Sequence, residues 1–184
     1  MTQMEISSAQ SPLYAEVAAS YALSFPLFEQ RTPQQQSDAF ADPRYHLLAW
    51  HEERRLMAYI SYWDLGHCLY VEHFAVEQAQ RGQGTGSEVL RQFCSQAKTA
   101  VVLEIDPPVD EVSRKRLRFY EHLGFRHNTH SHLHPAYRQE YAPHRLHIMS
   151  YPRHITAEEY GRFNLDLQHI VMKRQRQHGS AKSK

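Results

Sequence analysis

Residues 74–90 read FAVEQAQRGQGTGSEVL, and the reading of this stretch decides the fold. Phe74-Ala75-Val76 closes a strand pattern over residues 69–76, LYVEHFAV. Beyond the glycines the period changes. Val89, Phe93 and Ala97, flanked by Leu90 and Cys94, recur at helical spacing. The apolar run VVLEI at 101–105 then has the composition of a strand buried on both faces. Strand, helix and strand make a βαβ unit, whose right-handed crossover predicts that the two strands are parallel neighbours. Gly82, Gly84 and Gly86 alternate where the first strand hands over to the helix. Without Cβ atoms a ligand can approach the backbone there, and the N–H groups of the helix's first turn add the positive end of its dipole. Such a turn suits a phosphate or pyrophosphate.

Two better-known phosphate loops do not fit. A Walker A loop requires Gly-Lys-Ser/Thr, whereas Gly86 is followed by Ser87-Glu88. The dinucleotide pattern GxGxxG requires a glycine where Ser87 or Val89 stands. Taken alone, the glycines also allow a connection that binds nothing.

Outward from this unit, 45–50 and 56–63 are aromatic and aliphatic runs split by the charged turn HEERR, a hairpin pattern that leads into the 69–76 strand. Upstream, Ser11-Pro12 reads as an N-cap and first helical residue, with Leu13, Val17 and Tyr21 at helical spacing and Pro26 as the stop. RTPQQQSDAFADP reads as a polar loop with room for one short helix. Downstream, Val112, Leu117, Tyr120 and Leu123 predict a helix closed by Gly124. Phe125 starts a strand, a histidine-rich loop follows, and 146–151 forms a last strand. Tyr160, Phe163, Leu167 and Ile170 mark a C-terminal amphipathic helix. Antiparallel strands followed by a strand–helix–strand core predict an α+β, mixed-sheet fold over residues 1–172.

Composition narrows the function classes. The 184 residues suit one domain, and 41% hydrophobic with 22% charged residues is the balance of a soluble globular chain. Cys68 and Cys94 are the only cysteines, which suggests no disulfide framework and a reducing compartment. MTQMEISSAQ lacks the pattern of a signal peptide, and no apolar run approaches membrane-spanning length, so the expected location is cytoplasmic. From Lys173 the sequence KRQRQHGSAKSK carries five basic and no acidic residues, as expected of a disordered tail over 173–184. Without those five, 16 Lys and Arg face 20 Asp and Glu, so the body is acidic and no nucleic-acid partner is expected. RNA contact through the tail alone would show itself as steep salt dependence.

The glycine segment resembles the central motif of the GNAT superfamily of N-acetyltransferases: Arg81, two residues, Gly84, one residue, Gly86. A second signature of that superfamily, RFYEHLGF at 118–125, follows at the usual distance. The MSYP segment at 149–152 is similar to that of a bacterial subgroup. The resemblance spans about residues 10–172 and implies a twisted, mostly antiparallel sheet of six to seven strands, flanked by helices, with a splayed parallel pair. It also implies acetyl-CoA as co-substrate. The backbone of Phe74, Ala75 and Val76 would pair with the pantetheine amides, and a backbone N–H there would meet the developing oxyanion. The amides of Gly82, Gln83, Gly84, Thr85 and Gly86 would hold the pyrophosphate with help from the Ser87 hydroxyl, while Arg81 braces the loop. Ser113 stands where an asparagine often touches the pantetheine arm.

By the same resemblance Tyr120 donates a proton to the departing thiolate. Reference thiol and phenol values make that transfer uphill by roughly 2 kcal/mol. An amine of pKa about 10.4 costs about 4.6 kcal/mol to deprotonate at pH 7, so a base or relaying water is also expected. Glu72 is the first candidate, two residues before Phe74 and therefore on its side of the strand. Glu104 is the second, and His73 would face away from Glu72. The histidine-rich stretch RHNTHSHLHP lacks the carboxylates and cysteines of a metal site, so no metal is expected. It would line the acceptor pocket together with Glu29-Gln30-Arg31, Tyr137 and Arg138. The expected acceptor is a primary amine of a small molecule or peptide, and the expected state is a monomer or homodimer. The rival reading is a non-catalytic acyl-CoA sensor or scaffold.

Overall fold

The structure, a computed structural model, describes residues 1–173. All but the first residue of the expected basic tail therefore lies outside the described residues. Seven strands form one sheet in the order β1-β2-β3-β4-β5-β7-β6. They are β1 (Thr2–Glu5), β2 (Tyr45–Glu52), β3 (Arg55–Asp64), β4 (Cys68–Val76), β5 (Ala100–Ile105), β6 (Arg126–His134) and β7 (His144–Tyr151). Only β4 and β5 run parallel; every other pairing is antiparallel. One face packs against α1 (Tyr14–Ser24), α2 (Pro33–Phe40) and α5 (Ala157–Asp166) through Val17, Ala39, Trp63, Tyr70 and Phe163. The other packs against α3 (Thr85–Gln96) and α4 (Glu111–His122) through Val71, Val89, Phe93, Leu103 and Tyr120. Burial of these two apolar layers is the main force holding the helices to the sheet.

The feature that positions the site is a gap. β4 and β5 pair only from Cys68↔Ala100 to Val71↔Leu103. β4 then runs on to Val76 paired with β3 alone, so the outer backbone edge of Phe74, Ala75 and Val76 has no strand partner.

A bulge lies at the start of the gap. Ser61 pairs with His73 but Tyr62 pairs with Val71, leaving Glu72 as an extra residue. A bulge breaks strict alternation, and here it turns Glu72 and His73 to the same face. Glu72 accepts from Trp63 and Tyr137, and His73 packs on Tyr21 and Phe25 of the α1 layer. Phe74 and Val76 lie with the α3 and α4 layer. The expectation that Glu72 shares a face with Phe74 and opposes His73 is therefore corrected.

Several local expectations also change. β1 was not anticipated; it adds to the hairpin by pairing with β2. α1 begins at Tyr14 because Leu13 adopts a left-handed conformation (φ 65°), and Ser11 instead accepts from the Ser8 amide with its hydroxyl. The 53–54 turn places both Glu53 and Arg54 at positive φ, the geometry of a tight hairpin turn. The stretch read as a histidine-rich loop is strand β6. Its polar side chains point inward, with His132 and His134 buried while Leu133 is exposed. That inversion of the usual pattern hides a strand from any reading based on hydrophobicity. The C-terminal helix ends in a wider π-type turn over Leu167–Val171. α2, α4 and α5 each open with a capping box, set by Thr32, Asp110 and Thr156.

Candidate active site

The gap between β4 and β5 opens into a cavity of about 890 Å³ that reaches both faces of the sheet. On the α3 and α4 side it is lined by the glycine segment and by Arg116, Phe119 and Tyr120. On the α1 side it is lined by Phe28, Glu29, Glu72, Glu104, His134 and Tyr137.

At the loop end, Gly84 caps α3 from a left-handed conformation (φ 85°) and supplies no side-chain acceptor. The first hydrogen bond of this helix turn is Glu88 N–H to Gly84 C=O at 3.0 Å. The amides of Thr85, Gly86 and Ser87 therefore lack intrahelical partners, as first-turn donors do. Arg81 Nε donates to the Val76 carbonyl at 3.0 Å and ties the loop to the end of β4. Gln83 donates to the Ala79 carbonyl at 2.7 Å. A Cβ on Gly86 would sit 3.2 Å from Val76 Cγ2 and 3.5 Å from Phe74 and Phe119, whereas one on Gly84 would meet nothing within 4 Å. Gly84 is thus required by conformation and Gly86 by close approach. Gly84→Ala should then lower stability by about 1–2 kcal/mol through left-handed strain alone. Urea denaturation tests this, and an unchanged midpoint would show that the turn relaxes.

Phe74, Ala75, Val76, Arg81, Gly82, Gly84, Gly86, Ser87 and Tyr120 all line the cavity. Gln83, Thr85 and Ser113 stand outside its lining. The Ser113 hydroxyl is committed to the α4 capping box, donating to Asp110 Oδ1 at 2.7 Å and accepting from the Asp110 amide at 3.1 Å. Tyr120 is 8% exposed, with Phe119 and Phe125 edge-on to its ring. Burial pushes its phenol up to about 12, against a small opposing pull from Arg116. It therefore stays protonated through neutral pH.

Beyond the gap lie the carboxylates. Glu72, its side chain fully buried, pairs with Arg31 at 2.7 Å and accepts from Trp63 Nε1 at 2.8 Å and from the Tyr137 hydroxyl at 2.9 Å. Burial raises its proton affinity, but Arg31 and these donors more than offset that and hold it below the usual carboxylate range. Glu104 is a second hub, accepting from the Tyr70 hydroxyl and from His132 Nε2, with His134 Nε2 3.7 Å away. Burial again opposes ionisation, yet His134, His132 and Tyr70 bring it below its ordinary value. Glu29 differs from both. Its carboxylate has no hydrogen-bond or ion-pair partner among the described residues. Burial, then repulsion from Asp106 and Glu104, push it up to about 7 despite Arg116. Its carbonyl is fixed by His73 Nε2–H at 3.0 Å.

Sequence reading placed Glu29 beside the acceptor but gave it no chemistry. Asp106, Arg116, His134 and His144 also line the cavity, on elements separated in the chain. Arg138, expected at the acceptor, lies outside this cavity. Among the described residues no group of three or more His, Cys, Asp or Glu side chains is placed to hold a metal ion. No helix among them is long and apolar enough to cross a membrane.

Comparison with curated protein sequences finds no match. Solved structures share the fold. A Bacteroides thetaiotaomicron protein assigned to the GNAT family as an acetyltransferase superposes with a TM-score of 0.88 at 24% identity, covering 95% of this chain and 100% of its own. An acetyltransferase-like protein from Salmonella typhimurium, solved with its cofactor acetyl-CoA, gives 0.56 at 16% identity, covering 85% and 98%. Arabidopsis thaliana Naa50, bound to the bisubstrate analogue CoA-Ac-MVNAL, gives 0.54 at 18% identity, covering 82% and 98%. The sequence itself matches the family described as Acetyltransferase (GNAT) family over residues 13–125. With more than half of its length matched, and with the glycine turn and the splayed parallel strands in place, the chain belongs to the GNAT family of acetyltransferases.

Proposed function

We propose that the chain moves an acetyl group from acetyl-CoA to a primary amine of a small molecule or peptide, with Tyr120 as general acid. The observation that carries this reading is the cavity through the β4–β5 gap, with first-turn amides at one end and carboxylates at the other. The residues fit the cofactor. The amides of Thr85, Gly86 and Ser87 supply donors for a pyrophosphate, and Gly86 leaves room that a Cβ would fill. The free edge of Phe74–Val76 offers backbone groups to an extended amide-bearing arm. When bound, acetyl-CoA supplies an activated thioester.

On the acceptor side, Glu29 faces the ammonium group with a carboxylate unpaired among the described residues, while Asp106 is held by Arg116 at 2.5 Å and Glu104 by Tyr70 and His132. Glu29 takes its proton, because a base with pKa of about 7 combines availability and strength near neutrality. Glu72, the base anticipated from sequence, has its oxygens committed to Arg31, Trp63 and Tyr137; its part is to fix Tyr137. Tyr120 then returns a proton to the leaving sulfur. With its phenol at about 12, the gap to a reference thiol is about 3.5 units, or roughly 5 kcal/mol, more than reference values suggest. Burial of the thiolate against Phe119 and Tyr120 would raise its proton affinity as well and narrow that gap.

A thiol-release assay with acetyl-CoA across a panel of amines and peptides tests the reaction. Failure of every acceptor and of longer acyl thioesters would return the reading to a non-catalytic acyl-CoA sensor. The base is tested separately. kcat/KM should rise with pH through about 7 as Glu29 loses its proton, and Glu29→Gln should remove that rise and lower the plateau about 100-fold. An unchanged profile in the variant assigns the base elsewhere.

A further inference from the structure

A second cavity, of about 310 Å³, lies between α1, α2 and the sheet. That is the lower end of the range for small-molecule sites. His73 lines both cavities and stands between them, its Nε2–H held by the Glu29 carbonyl at 3.0 Å. Apolar surface comes from Tyr14, Val17 and Leu47, and polar surface from Arg31, Arg138 and Tyr59. Arg31 Nε, Arg138 Nε and the Tyr59 hydroxyl are all buried without a hydrogen-bond partner. Buried donors without acceptors are costly, more so on a charged group.

The charges narrow the ligand. Glu72 neutralises Arg31 at 2.7 Å, and the Arg31 side chain is only 6% exposed. Arg138 pairs with no carboxylate among the described residues. The cavity is therefore lined by one guanidinium without a carboxylate partner, that of the half-buried Arg138, and by further unpaired donors beside an apolar wall. Water or a neutral amide would meet the donors and leave the charge; a phosphate dianion would exceed it and bring a large hydration cost into a half-apolar space. A carboxylate matches both the single charge and the forked donor geometry.

We propose that this second cavity is a binding site for a small monocarboxylate with an apolar body, its carboxylate on Arg138 and Arg31 Nε and its hydrocarbon against Tyr14, Val17 and Leu47. The site is independent of the acetyl-transfer reading, because it uses neither the glycine turn nor Tyr120.

Calorimetric titration of the full chain with sodium benzoate and with benzamide, which share a ring but not a charge, tests the site. Benzoate should bind with a Kd of about 1 mM or tighter, and benzamide at least about tenfold more weakly. Arg138→Gln should weaken benzoate about tenfold, and Ala18→Phe, which fills the cavity from α1, should abolish binding. Arg116→Gln, in the first cavity, should leave it unchanged. Equal binding of benzamide, wild-type affinity in both second-cavity variants, or no saturable binding by about 10 mM would overturn the proposal. Melting curves establish that each variant is folded, and Ala18→Phe carries the test if Arg138→Gln is not.

Discussion

Tyr120→Phe should lower kcat by about 100-fold or more while leaving coenzyme A affinity and thermal stability near wild type. The reasoning starts from packing. The Tyr120 ring sits edge-on to Phe119 and Phe125 and is 8% exposed, and phenylalanine preserves those contacts. The hydroxyl forms no hydrogen bond with another protein group among the described residues, so its removal leaves no buried partner stranded. What goes is a proton held on a phenol of pKa about 12 at the wall of the cavity. An interaction made only as sulfur departs lowers kcat and kcat/KM together. Single-turnover kinetics alongside coenzyme A titration separates this from weakened binding. Unchanged turnover removes the acid role from Tyr120; a matching loss of coenzyme A affinity makes it a packing residue.

The second large effect is on stability. Glu72→Ala should destabilise the fold by about 3–5 kcal/mol, because removing one partner of a buried ion pair strands the other. Here the stranded groups are the Arg31 guanidinium, the Trp63 indole N–H and the Tyr137 hydroxyl. Arg31 also donates to the Val171 carbonyl at 3.1 Å, so the damage should extend to the C-terminal turn. Replacing both partners with apolar residues, Arg31→Met with Glu72→Leu, should recover the part due to the stranded guanidinium, while the Trp63 N–H and Tyr137 hydroxyl remain unpaired. The pH dependence follows from the depressed pKa of Glu72. The contribution is fully present above the ordinary carboxylate value and fades as acidification passes the lowered folded-state value. Urea unfolding at neutral and acidic pH checks both statements. A loss below about 1 kcal/mol would mean that the pair is solvated after all.

How much of this was legible depends on whether a residue's role is local. RGQGTG announces its turn because glycine is needed at the residue itself, at Gly84 for its dihedral and at Gly86 for close approach. The βαβ unit shows in a change of period, and the Tyr120 segment lies in a continuous helical pattern. Glu72 is different. Its side of the sheet depends on one extra residue in the β4 register, and a bulge leaves no signature in LYVEHFAV. Glu29 could not be read as a base because its shift comes from burial and from Asp106 and Glu104, distant in the chain. The strand expected from Phe125 is extended through the histidine-rich stretch for a related reason. His132 and His134 face a carboxylate rather than an apolar core, so polar residues occupy the inward positions.

The early end of the β4–β5 ladder divides labour between the faces of the sheet. Loop amides and the proposed acid stand on one side, and the groups proposed to greet the amine on the other. Of those second-side residues, Glu29 comes from the segment after α1 and His134 from β6, neither of which builds the glycine turn, whereas Glu72 and Glu104 stand on β4 and β5 themselves. Changes at Glu29 or His134 can therefore retune the acceptor side without touching the glycine turn, whereas changes at Glu72 or Glu104 act on the strands that form the gap. The missing hydrogen bonds are thus a passage through the sheet, joining a donor side to an acceptor side.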